Sequence, residues 1–71
     1  MDIYQDLMDG KIIKYTGSDN NIYYVQYNKE HWGNVLRLSK RPDCKYPIHE
    51  YFYSENDLYN FSNSIKGFVV D

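Results

Sequence analysis

The chain has one cysteine, two prolines, four scattered glycines and no alanine in 71 residues, and most of these scarcities exclude a class of protein. A single cysteine forms no internal disulfide, so a disulfide-stapled secreted scaffold is excluded, and there is no C-x-x-C pair to seat a zinc ion or a redox centre. Gly10, Gly17, Gly33 and Gly67 stand alone, each near an expected turn or cap, so no glycine loop is present to cradle a phosphate. No apolar run approaches the roughly 20 residues that a bilayer-spanning helix needs, and no association with a membrane is expected. The opening residues, MDIYQDLMDG, carry acids where an export signal needs a basic start and an apolar run. With the lone thiol, this leads us to expect a reducing, cytoplasmic setting.

What the chain does have is aromatic side chains. Hydrophobic residues make up 42% of it and aromatics 18%, with nine tyrosines. That is too rich for a disordered segment, and the length leaves no material for a second core, so residues 1–71 are read as one domain. A domain this small buries only about 60% of the surface its unfolded chain exposes, so its stability should be a few kcal/mol. The net charge of −2 argues against a generally basic nucleic-acid binder, yet the charge is uneven. From Lys29 to Lys45 there are five cations (Lys29, Arg37, Lys40, Arg41, Lys45) against Glu30 and Asp43, a local +3 that leaves −5 on the remainder. A basic patch on an acidic body orients an approaching partner through its field.

Local patterns give an α+β order. Asp2 is placed to cap a helix over residues 3–9, with Gln5 at the third helical position, Ile3 and Leu7 on one face and Gly10 as the stop. KIIKYTG and NIYYVQYN read as two strands joined through Ser18, Asp19 and Asn20. Val35 to Lys40 alternates, sending Leu36 and Leu38 to one face and Val35, Arg37 and Ser39 to the other. RPDCKYP must be a loop, because Pro42 and Pro47 donate no ladder hydrogen bond. IHEYFYS is a fourth strand, with Ile48, Glu50 and Phe52 opposed to His49, Tyr51 and Tyr53. Ser54 caps a second helix with Asp57 at its third position, a Leu58, Phe61, Ile65 stripe, Lys66 in its last turn and Gly67 beyond. The closing FVVD is either a short fifth strand or a hydrophobic tail over the helix end. The fold expected is a short N-terminal helix, a four-stranded antiparallel sheet and a C-terminal helix packed on one sheet face, leaving the other face partly open.

Candidate chemistry concentrates in residues 31–49, HWGNVLRLSKRPDCKYPIH, which hold the only tryptophan, the only cysteine and both histidines, prolines and arginines. His31, Cys44 and His49, with Asp43 or Glu50 as a fourth donor, are the residue types zinc takes, but their spacing matches no zinc motif. The simpler reading is two surface histidines and an ordinary thiol. Cys44 beside either histidine could imitate a thiol nucleophile and base, although a chain this small supplies no evident pocket or orienting group. Lys40, Arg41 and Lys45 would lower the thiol pKa if they flank it in space. Glu55 and Asp57 are accounted for by the helix start and Glu50 by a salt bridge, so no acid and base pair is needed. The Asn60-Phe61-Ser62 sequon carries no information without an export signal. No catalytic residue, metal or cofactor is expected.

Tyr23, Tyr27, Tyr51 and Tyr53 can share a sheet face, and with Arg37 and Lys40 nearby they would make a stacking platform for a single-stranded nucleic acid. The alternative is that tyrosine fills half-buried strand positions in a protein short of core. YYVQY followed by HWGNV resembles, through Tyr23, Tyr24, Gln26, Trp32 and Gly33, the strand and Trp-Gly turn of WGR domains, which bind nucleic acid. The likeness covers under half the chain, and Asn34 stands where that family has arginine.

The clustered cations are not explained by fold, so Arg37, Lys40, Arg41 and Lys45, with Trp32, Tyr51 and Tyr53 as aromatic anchors, form the expected binding surface. The function expected is a non-enzymatic binding module that occupies the surface of a protein partner. A composition rich in Tyr, Asn, Lys and Ile and lacking Ala points to an AT-rich genome. Its specific version is therefore a phage or mobile-element accessory protein that inhibits a host defence enzyme. The alternative is a small nucleic-acid binder using the tyrosine face and the basic 37–45 segment. A homodimer through an edge strand or the open face would compete with either.

Overall fold

The computed structural model describes residues 2–70. The first element, α1 (Ile3–Met8), starts where the Asp2 carboxylate accepts the N–H groups of Tyr4 at 3.1 Å and Gln5 at 3.4 Å. Gly10, at φ +81°, ends it: its own N–H donates to the Leu7 carbonyl and that of Lys11 to Asp6, both at 3.0 Å. This paired closure satisfies two of the last helical carbonyls and needs a left-handed residue where Gly10 stands. The Gln5 side chain turns forward to Asp9 rather than back to the cap.

Strands β1 (Ile13–Thr16), β2 (Ile22–Glu30), β3 (Gly33–Ser39) and β4 (His49–Phe52) follow as an antiparallel meander. Helix α2 (Glu55–Ser64) then carries the chain back across the sheet to β5 (Gly67–Val69), which pairs antiparallel with β1. The sheet order is β4-β3-β2-β1-β5. FVVD therefore supplies a fifth strand, with Asp71 outside the described residues.

Register assigns the faces. Ile13, Val25 and Leu38 lie in one row and Tyr27 and Leu36 in another. Against these rows α1 and α2 press Leu7 and Leu58, which are fully buried. Each such leucine contributes about 2 kcal/mol by leaving water. Tyr27 is 2% exposed, and its hydroxyl donates to the Tyr53 carbonyl at 2.7 Å, so a polar tip inside the core is paired. Ser54 and Asp57 form the expected capping box of α2.

Two sequence expectations are corrected at the other end of α2. The helix stops at Ser64 and Ile65 is already extended, so Lys66 is not in the last turn and Gly67 is not a helix stop. Pairing with β1 draws the chain straight out of the helix. Gly67 meets a different need, close approach: a Cβ there would lie 2.5 Å from the Lys14 carbonyl oxygen and 2.9 Å from the Ile13 side chain. The alternation expected for β3 holds, but Val35 and Ser39 are buried along with Leu36, so both faces of this strand carry packing.

The two glycines should therefore respond differently to alanine. At Gly10 there is open space and only the positive φ resists, so Gly10→Ala should cost about 1 kcal/mol. At Gly67 the added methyl meets backbone, so Gly67→Ala should cost about 2 kcal/mol or more and release β5 from β1. Urea unfolding midpoints and hydrogen exchange of β5 amides measure both.

Candidate functional site

The helices lie on one side of the sheet, and the residues of opposite parity form the open side. Across β2, β3 and β4 that side carries the rows Gln26, Arg37, Glu50 and Asn28, Val35, Phe52. Arg37 lies 3.8 Å from Glu30 and 3.7 Å from Glu50, a cross-strand ion network at partial exposure. Such pairs are worth about 0.5 kcal/mol each, so they order the surface more than they stabilise it.

Beside this row is an aromatic pair. Trp32, in the turn between β2 and β3, meets the Phe52 ring edge-on with centroids 5.8 Å apart. Both are solvent-facing, Trp32 at 53% and Phe52 at 74% exposure. Gly33 lies beneath the Phe52 ring, which would be 3.8 Å from a Cβ there. Ile48, just before β4, is also exposed, and its N–H donates to the Leu38 carbonyl at 2.8 Å.

The segment from Lys40 to Tyr46 closes over one end of this open face. The Ser39 hydroxyl donates to the Lys45 carbonyl at 3.1 Å and accepts the Arg41 N–H at 3.0 Å. Cys44 is buried, with its sulfur 3.7 Å from the Tyr24 carbonyl oxygen and 3.6 Å from that of Arg37. Cys44 and Tyr46 hold positive φ, a strain on the order of 1 kcal/mol each that these contacts offset. The loop leaves Lys40, Arg41 and Lys45 in solvent. Arg41 lies over the Tyr46 ring at 5.3 Å and 3.7 Å from Asp43.

Burial raises the Cys44 thiol pKa, with Arg37 the one cation opposing it and Asp43 adding to the rise. The expectation that Lys40, Arg41 and Lys45 would lower it is thus reversed, because the thiol points into the sheet while those cations face water. His31 and His49 are exposed at separate places, in the β2–β3 turn and on β4. No group of three or more His, Cys, Asp or Glu side chains converges among the described residues.

The four tyrosines do share a face, but it is the face under the helices. Tyr27 is core, and Tyr53 packs on Phe61 and lies 5.7 Å from Tyr51. Arg37 projects from the opposite side. Lys40 is near this tyrosine set, 6.0 Å from the Tyr23 ring. The residues singled out in the sequence therefore divide: Trp32 and Arg37 belong to the open face, Arg41 and Lys45 to the loop that closes over it, and Lys40, Tyr51 and Tyr53 to the helix side. Phe52, Ile48 and Tyr46 were missed. For Phe52 the signal was the parity of IHEYFYS, which becomes informative only once the helix-covered face is known; Tyr46 and Ile48 lie in the loop before β4, where no periodic signal marks them.

Comparison with protein-family models, curated proteins and solved structures finds no match, so the WGR-like Trp-Gly turn remains a local likeness. No helix among the described residues is long and apolar enough to cross a membrane.

Two measurements follow from the ionisable groups. The bond from Tyr23 and the Asn21 N–H lower the Asp19 pKa from 3.8 to about 2, while burial, with neighbouring Tyr23, raises Tyr15 from 10.0 to about 12. Asp19 therefore adds stability that is present above its unfolded value and lost as pH falls from about 4 toward 2. Tyr15 adds stability that is present below its unfolded value and lost as pH rises from about 10 toward 12. Urea midpoints across pH should fall at both ends, with Asp19→Asn flattening the acid limb. The Cys44 thiol should react slowly with a thiol reagent in the folded protein and rapidly in urea; equal rates would show that the loop does not hold it.

Proposed function

We propose that this protein is a non-enzymatic binding module that occupies the surface of a protein partner through the open sheet face. The observation that carries this reading is the Trp32–Phe52 pair, two large aromatic rings held against each other in solvent on a rigid sheet. Exposing them costs free energy that a monomer recovers nowhere, and tryptophan and arginine are the residue types that most often dominate interface energies. Arg37, in its ion network, lies in the row beside the pair, and Arg41, over Tyr46, stands in the loop at the opposite end of β3; both are cations whose geometry is already ordered. Pre-ordered side chains lose less entropy on association. The specific version, inhibition of a host defence enzyme by a phage or mobile-element protein in the cytoplasm, rests on composition.

One observation favours a second reading. Lys40 over Tyr23 and Arg41 over Tyr46 are cations on tyrosine rings beside an exposed Lys45, a small arrangement suited to a nucleic-acid strand. A protein partner is favoured because the chain outside this segment is acidic.

The test uses the immobilised protein and a bacterial lysate, with Trp32→Ala, Phe52→Ala and Arg41→Glu variants whose fold is checked by circular dichroism. A specific protein retained by the wild type and lost at least about tenfold on either aromatic substitution supports the reading. Retention unaffected by all three variants overturns it. In parallel, oligonucleotide anisotropy that falls steeply with salt and is removed by Arg41→Glu would favour the second reading.

A further inference from the structure

We infer that β4 accepts an added β-strand from a partner protein, and that this strand carries a lysine or arginine opposite Glu50 with an apolar residue two positions away, beside Phe52. The inference rests on the protein-partner reading above and deepens it by assigning the chemistry of the partner segment.

β4 is an outer strand of the sheet, and all four of its residues are exposed. The Tyr53 N–H donates inward to the Asn34 carbonyl at 3.3 Å. Antiparallel ladders alternate, so Tyr51 also turns its N–H and C=O toward β3, whereas Glu50 and Phe52 turn theirs outward. These outward groups are the main-chain donors and acceptors that strand addition uses.

The side chains then set the sequence of the incoming strand. Its residue opposite Glu50 extends the row Gln26, Arg37, Glu50. Arg37 approaches Glu50 from the β3 side, and the Glu50 side chain stays 49% exposed, so a cation on the added strand continues the alternation of charge. The same strand lays a flanking residue beside Phe52, which is exposed and apolar and which Trp32 backs; Ile48, before the strand, donates its N–H inward to the Leu38 carbonyl and is outside the alternation. Cross-strand neighbours of this kind contribute about 0.2–1 kcal/mol each. A second copy of β4 fits less well. Residues opposite each other must share a face, so a two-fold pairing centred on Glu50 sets that carboxylate against itself, one centred on Tyr51 sets Glu50 against Phe52, and one centred on Phe52 sets Glu50 against Ser54, beyond the strand; none brings it a cation.

The probes are two capped peptides, Thr-Val-Thr-Arg-Thr-Val-Thr and the same sequence with Glu in place of Arg, titrated to millimolar concentration into the full chain. Amide exchange and shift changes are followed by NMR. The arginine peptide should protect the Glu50 and Phe52 amides and bind about five- to tenfold more tightly than the glutamate peptide. Glu50→Lys, a change at an exposed side chain, should invert that order. Protection of neither amide, an equal response to both peptides, or a β4-paired dimer of the protein in sedimentation that leaves these amides already protected would overturn the inference. A partner protein still captured through Trp32 and Phe52 in any of those cases would leave the open-face reading standing, so the two failures are distinguishable.

Discussion

Among the described residues, helices of six and ten residues are all there is to cover a five-stranded sheet, and they suffice for one face only. The rest of the design follows from that shortage. The covered face must hold the core, so both helices send their leucines there, and α2 must run from the β4 end of the sheet to the far side of β1 before β5 can form. Leucine and valine alone do not fill the space. Tyr27 lies fully inside it, while Tyr15 and Tyr53 pack at its margin against Phe61, each ring centroid about 6 Å from that of the phenylalanine. A ring spans the gap that short helices leave, and a hydroxyl that finds a carbonyl, as Tyr27 does at Tyr53, avoids the cost of a stranded polar group.

The second face is covered by whatever loop is at hand. Ser39 acts as the clip, accepting from Arg41 and donating to Lys45, and the buried Cys44 fills the space beneath. The loop bends back through two non-glycine residues at positive φ, a conformation the chain adopts only because those contacts fix it. Its cations are pushed outward by the same fold that turns the thiol inward, which is why charge near Cys44 in sequence does not translate into charge near its sulfur.

Local features were legible in the sequence and relational ones were not. The Ser54–Asp57 capping box, the Asp2 cap, the Gly10 stop and the alternation of β3 and β4 each depend on residues a few positions apart, and each is present. Which face the helices cover depends on how α2 crosses the sheet, and no short window contains that. The tyrosine set was therefore grouped correctly, and the structure then places it under the helices, with Arg37 on the other side. Trp32 and Arg37 were legible as anchors because their types most often dominate interface energies. Phe52 was not, since an apolar residue alternating in a strand reads as packing. Gly67 was misread for a similar reason: glycine after a helical stripe signals a stop, whereas here it permits the contact of β5 with β1.

The open face raises a question of restraint. A sheet side bearing Trp32, Phe52 and Phe68 in solvent, next to a short outer strand, is a surface on which copies of the protein would tend to associate. The charged row through Arg37 crosses β4 at Glu50, next to Phe52, so no continuous apolar stripe runs along that strand. Glu50 ends the row at β4, and Arg37 divides its charge between Glu50 and Glu30 on β2, so the β4 end keeps negative charge. A like strand brings a second Glu50, an aromatic ring or the Ser54 end of the strand to this position, never a cation; a strand with a cation there completes the row. On the proposed reading, the feature that keeps identical copies apart is thus also the feature that selects the partner.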